Sequence, residues 1–135
     1  MRKLNAVIEF AENNYSAYLK DVDGFMGIGD SIEEVKKSLS ENIEFTLEGM
    51  REEGVEIPKC FNDQYEIEYL FDITTFLQVY GKIISKAGIE KLTGINQKQL
   101  WHYASGKRKP RKETVVKIAE SVHKLGEELM KVSFA

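Results

Sequence analysis

The 135 residues include one cysteine and two histidines, and each shortage closes off a class of chemistry. A single Cys60 forms neither an internal disulfide nor a cysteine-based metal cluster. With no histidine near it in sequence, its thiol reads as a small buried or half-buried residue rather than a nucleophile. No apolar run approaches the ~20 residues that span a bilayer, and the opening MRKLNAVIEF lacks the layout of a signal peptide. A cytoplasmic protein without membrane contact is the expectation. There is no glycine-rich phosphate loop, no HExxH pair and no Ser/His/Asp signature. What is present, 42% hydrophobic and 30% charged residues, is the make-up of a globular chain long enough for one ordinary domain or two small ones.

The net charge is −3, but its distribution divides the chain. Residues 1–72 hold 7 Lys+Arg against 17 Asp+Glu, a balance of −10, whereas residues 73–135 hold 12 against 5, a balance of +7. A basic half suits a nucleic acid. An acidic half is repelled by phosphate and favours a cationic protein surface, or serves solubility alone.

In the acidic half, Leu4 to Phe10 has the β-branched and apolar content of a strand. Asn13-Asn14 signals a turn, and Tyr15 to Lys20 alternates as the second strand of a hairpin. After a turn at Asp21 to Gly24, Phe25 to Gly29 reads as a glycine-rich third strand. Ser31 then caps a long helix, with Glu34 completing a capping box and Asp30 adding negative charge at its start. Ile32, Val35, Leu39, Ile43, Leu47 and Met50 recur at helical spacing to about Glu53, and Gly54 stops the run. A loop over 55–64 with Pro58 leads to a fourth strand, Tyr65 to Phe71. The expected fold class is α+β: about four strands with one face covered by one long helix over 1–72, followed by an all-α helix-turn-helix domain over 73–135.

The basic half opens with a helix from Thr74 or Thr75 through Ile84, weakened by Gly81. Ser85 caps the next helix, which runs to about Thr93. Gly94 occupies a stop that requires positive φ. Ile95 points inward, and Asn96 caps a following helix with Gln99 as its capping-box partner. Leu100 and Tyr103 share one face, and Gly106 ends the helix. That layout is a helix-turn-helix. Gln97, Lys98, Trp101 and His102 then project away, with Gln99 reaching outward when not capping. Glutamine and lysine bond base edges in the major groove. The free N–H groups at the helix start suit a phosphate, as does the run Lys107, Arg108, Lys109, Pro110, Arg111, Lys112. A last helix, Glu113 to Val132, closes the core with its first part, and Gly126 is a place for a bend or division. Leu129, Met130, Val132 and Phe134 serve either core extension or self-association.

Residues 85–119 resemble the Cro/repressor class of helix-turn-helix domains, which share the turn glycine, the apolar residue after it and a loop of the GKRKP kind. The resemblance puts Gln97, Lys98 and His102 at base-reading positions, with Gln99 and Trp101 beside them. It puts Lys86 at a phosphate, to which Lys107, Arg108, Lys109 and Arg111 are added by the charge of their run alone. The fifth motif residue, alanine in that class, is Glu90 here. Either the helices cross more widely, or Ala87 and Gly88 supply the close approach.

Residues 4–72 are similar to the N-terminal domain of HicB-type antitoxins, a reduced RNase H-like fold. The likeness rests on the turn Asp21 to Gly24, on Gly27 and Gly29 in the third strand, and on the helix start Gly29-Asp30-Ser31-Ile32-Glu33-Glu34. The resemblance implies an antitoxin with two partners, a small basic ribonuclease toxin of the HicA type and operator double-stranded DNA. A homodimer or higher homo-oligomer is expected on the DNA. A nuclease of that fold needs carboxylates converging on Mg²⁺. Glu9, Glu12, Asp21, Asp23 and Asp30 are the candidates by composition, but their spacing forces no common site. The expectation is therefore a protein with no catalytic residues, no metal and no cofactor. The alternative is a transcriptional regulator whose N-terminal domain senses a ligand or oligomerises, with no toxin partner.

Overall fold

The structure is a computed structural model describing residues 1–11 and 13–135; Glu12, one of the carboxylates considered above, lies outside the described residues. Among the described residues the chain forms a four-stranded sheet and five α-helices, and it divides into two compact units, Met1–Asp72 and Ile73–Ala135.

The first unit contains β1 (Arg2–Ala11), β2 (Asn14–Leu19), β3 (Met26–Gly29), α1 (Ile32–Glu52) and β4 (Tyr65–Phe71). Sheet order is β3-β2-β1-β4, with β4 parallel to β1 and the other pairs antiparallel. β1 extends beyond the expected Leu4 to Phe10 because Arg2 and Lys3 pair with Tyr65 and Glu66 across the parallel ladder. That long-range partner leaves no mark in local composition. Leu4, Ala6, Ile8, Ala17 and Leu19 point to one face and meet Val35, Leu39, Ile43 and Leu47 of α1. Alternation along strands and a period of about 3.6 along the helix put both apolar sets on facing surfaces.

α1 starts as the sequence dictates. The Glu34 N–H donates to Ser31 Oγ at 3.1 Å, while Glu34 Oε2 accepts from the Asp30 N–H at 2.8 Å. The return bond of the box thus goes one residue upstream of the cap. The glycines of β3 let α1 settle directly on the strand. A Cβ on Gly27 would lie 2.4 Å from the Leu39 backbone nitrogen, and one on Gly29 2.6 Å from that of Val35. α1 also reaches over the outer edge of β3. Ser38 Oγ accepts from the Ile28 N–H at 3.0 Å, and Asn42 Nδ2 donates to the Met26 carbonyl at 2.7 Å. The segment read as loop over 55–64 includes a 3₁₀ turn, Lys59–Phe61, that buries Cys60 and Phe61 in the same core.

The second unit contains α2 (Ile73–Tyr80), α3 (Lys86–Thr93), α4 (Gln97–Ala104) and α5 (Lys112–Met130). Leu77, Ile89, Leu100 and Tyr103 form its core, with Ile95 packed against them. α2 stops at Tyr80 instead of running to Ile84. A Cβ on Gly81 would lie 2.3 Å from the Leu77 carbonyl oxygen, a position that only glycine fills without clash. α5 is continuous through Gly126, so the expected bend or division is absent.

Candidate nucleic-acid interface

The α3–α4 connection is fixed by small residues with specific hydrogen-bonding tasks. Ser85 Oγ accepts from the Gly88 N–H at 3.0 Å to start α3. Buried Thr93 donates from Oγ1 to the Ile89 carbonyl at 2.7 Å and accepts from the Ile95 N–H at 3.1 Å. Gly94 takes φ 77°, and its N–H closes on the Glu90 carbonyl at 2.7 Å. Asn96 Oδ1 accepts from the Lys98 N–H at 2.7 Å to start α4. At the far end, Gly106 takes φ 78° and donates to the Tyr103 carbonyl.

Of the two routes offered for the departure at Glu90, close approach through Ala87 and Gly88 is not the one taken. Ala87 is exposed, and a Cβ on Gly88 would meet Ile84 and Ser85 of its own segment rather than α4. The Glu90 carboxylate instead turns to the start of α4. Its Oε2 accepts from the Gln97 N–H at 3.2 Å and its Oε1 from Gln97 Nε2 at 3.1 Å. The first N–H groups of α4 therefore already have acceptors in Glu90 and Asn96, and a carboxylate beside them opposes a phosphate. The expectation of a phosphate seat at this helix start is corrected accordingly.

With Leu100 and Tyr103 buried, the opposite arc of α4 carries Gln97, Lys98, Trp101 and His102. Gln97 and Lys98 are exposed, Trp101 is 55% exposed, and half-buried His102 meets the Trp101 ring edge-on at 5.7 Å. Trp101 sits between the glutamine and the lysine on this arc. Gln99 lies off it and makes no capping box. Its Nε2 donates to Tyr103 Oη at 3.0 Å and its Oε1 accepts from Arg108 Nη1 at 3.3 Å. It anchors the basic loop instead of reaching outward.

Lys107, Arg108, Lys109 and Arg111 are all exposed, and Lys86 is half-buried at the first position of α3. Arg108, Lys109 and Arg111 line a cleft with Gln99, Tyr103 and Thr114. The cleft lies at the start of α5, where Arg111 is the N-cap and no side chain caps the helix. Uncapped N–H groups, a helix dipole and three cations together suit a phosphate better than the start of α4 does. His102 is held below its ordinary 6.5, first by desolvation and then by Lys107, Arg108 and Lys98. His123 is exposed on α5.

In the first unit, the face of α1 turned from its core presents Glu41, Phe45, Glu48 and Glu52 in one stripe, all exposed, with Phe45 at 78%. The described carboxylates considered for metal binding do not converge. Glu9 accepts from Tyr18 Oη at 3.3 Å, while Asp21, Asp23 and Asp30 are exposed. Among the described residues no group of three or more His, Cys, Asp or Glu is arranged to hold a metal ion, and no helix is long and apolar enough to cross a membrane. No protein-family model, curated protein or solved structure matches this chain.

Proposed function

We propose that this chain is a HicB-type antitoxin: a helix-turn-helix DNA-binding unit over 73–135, joined to an acidic RNase H-like unit over 1–72 that masks a small basic ribonuclease toxin. The observation that carries the reading is the outward arc of α4. Gln97, Lys98 and Trp101 stand exposed there, next to a loop with four exposed cations. α4 enters the major groove, where Gln97 pairs with an adenine edge and Lys98 with guanine acceptors. Its Glu90 bond holds the Gln97 amide in one orientation before DNA arrives, which lowers the ordering cost of reading a base. Lys107, Arg108, Lys109, Arg111 and Lys86 supply the phosphate contacts, with the uncapped start of α5 beside them.

The toxin half of the reading rests on charge and shape. An exposed phenylalanine among glutamates on α1 is an apolar anchor with an anionic rim, the pairing that a cationic protein surface complements. Masking requires no bond to be made or broken. The chain would thus repress its own operon while holding the toxin inactive.

Fluorescence anisotropy with duplex from upstream of the gene, compared with a scrambled duplex across a salt series, tests the DNA half. Gln97→Ala should reduce discrimination at one base position by ~1–3 kcal/mol, whereas Lys109→Ala should weaken both duplexes alike and lower the salt slope by about 1. Equal loss on every sequence from both variants would remove α4 as the reading element. Co-expression with the neighbouring gene tests the toxin half, and failure to co-purify a short basic protein argues for a regulator without a toxin.

A further inference from the structure

One edge of the sheet in the first unit is unfinished. β4 is an edge strand, and the Arg2 N–H donates to the Gln64 carbonyl at 3.1 Å. In a parallel ladder that bond sets the alternation. Gln64, Glu66, Glu68 and Leu70 turn their main-chain groups to β1, while Tyr65, Ile67 and Tyr69 turn theirs outward. Among the described residues nothing bonds those outward groups, whereas Ser38 and Asn42 of α1 occupy main-chain groups of β3. A row of unpaired N–H and C=O groups is a template for one more strand, the mode in which a sheet takes up an extended peptide.

The two sides of this edge differ in chemistry. On the side of α1, half-buried Tyr65, Ile67 and Tyr69 pack against the core, and helix side chains hold both rings. Tyr65 Oη donates to Glu44 Oε1 at 3.4 Å, and Lys36 Nζ lies 4.7 Å from the centre of the Tyr69 ring. An open groove of about 680 Å³ is lined there by Ser40, Glu44, Asp63, Tyr65 and Ile67. On the other side Glu66 and Glu68 are exposed, with Lys3 and Asn5 across from them on β1. Neither carboxylate is in an ion pair among the described residues.

Alternation dictates the occupant. A strand added to β4 lays every second side chain over the groove and the others beside Glu66 and Glu68. The groove side takes apolar residues against Ile67 and the two rings, and the opposite side takes cations against the carboxylates. We propose that the outer edge of β4 docks an extended segment of another protein in which Lys or Arg alternates with apolar residues. This site is separate from the stripe assigned above to a toxin. Lys36, Ser40 and Glu44 lie on the flank of α1 beside β4, whereas Glu41, Phe45, Glu48 and Glu52 turn from the core. The docking therefore requires no toxin, and the edge stays open when that stripe is covered.

A fluorescein-labelled, end-blocked peptide alternating lysine and valine, titrated with the full chain, tests it. Two further peptides run beside it, one with the same residues in separate blocks and one alternating glutamate and valine. Anisotropy should show saturable binding of the first with a Kd below about 1 mM, and at least about tenfold weaker binding of the other two. Amide exchange followed by NMR should find the Ile67 and Tyr69 N–H groups open in the free chain and protected with the alternating peptide. Glu66→Gln combined with Glu68→Gln should weaken binding about three- to tenfold. Both side chains are exposed, so the far-UV circular dichroism of that variant should match the wild type. Glu120→Gln with Glu127→Gln, which removes equal charge from α5, should leave the affinity unchanged. Absence of saturable binding, equal binding of the block peptide, or no protection on β4 would overturn the proposal. So would equal affinity in the two double variants, or Ile67 and Tyr69 amides already protected in the free chain, the mark of an edge taken by a second copy.

Discussion

Replacing Glu90 with alanine removes one carboxylate that makes two bonds to the same residue, and the cost follows from their geometry. Loss of a capping acceptor at a helix start costs about 0.5–2 kcal/mol. The bond to the Gln97 N–H is 3.2 Å long and Gln97 is exposed, which puts it in the lower part of that range. The bond to Gln97 Nε2, at 3.1 Å, adds about 0.5 kcal/mol. Asn96 still accepts from the Lys98 N–H, so α4 loses only part of its start. The sum is about 1–1.5 kcal/mol, which for a unit the size of Ile73–Ala135 lowers the melting temperature by roughly 4–12 °C. Trp101 is the only tryptophan and belongs to α4, so a thermal melt followed by its fluorescence reports this unit. Glu90→Gln keeps one acceptor oxygen without the charge and should recover about half of the loss. An alanine variant melting within about 1 °C of the wild type would show that Glu90 does not hold the start of α4. If α4 reads DNA as proposed, the same variant should bind scrambled duplex more tightly and discriminate less, because an anion leaves the proposed contact face while Gln97 becomes free to reorient.

In the first unit, Gly27→Ala forces a methyl group against the Leu39 backbone and should destabilise by about 1–3 kcal/mol as overpacking, read as a lower urea midpoint with unchanged slope. His102, held below 6.5 by desolvation and three neighbouring cations, is neutral at pH 7 in the free chain. On the proposed DNA-binding reading, duplex phosphates beside α4 would reverse that potential and raise the pKa, so protons would be taken up on binding. Affinity should therefore rise as pH falls through the interval between the free and bound pKa values. Anisotropy titrations should show that slope flattened in His102→Gln, and an undiminished slope would put the imidazole away from the phosphates.

Much of the fold could be read from local pattern because the determining interactions are local. Ser31 and Ser85 stand before apolar-periodic runs and cap α1 and α3. Gly94 stands where the backbone turns left-handed, and the alternation of Tyr65 to Phe71 coincides with β4. What escaped depends on residues distant in sequence or on competition between partners. The parallel pairing of Arg2 and Lys3 with β4 has no local signature. Asn96 with Gln99 has the letters of a capping box, but Tyr103 and Arg108 take the Gln99 amide and Glu90 takes the N–H next to the cap. Glu90 was visible as a departure from a motif, and a charged residue facing a helix start three positions past a glycine turn is the signal that foretells its contact.

The side chains of Ser38 and Asn42 have one more effect. By occupying main-chain groups along the margin of β3, they deny that margin to any incoming extended peptide. The opposite margin, β4, is fenced by Glu66 and Glu68, both exposed, so two identical margins repel when brought together. Edge-to-edge joining of one sheet to the next, a route to fibres, is thereby opposed on both flanks.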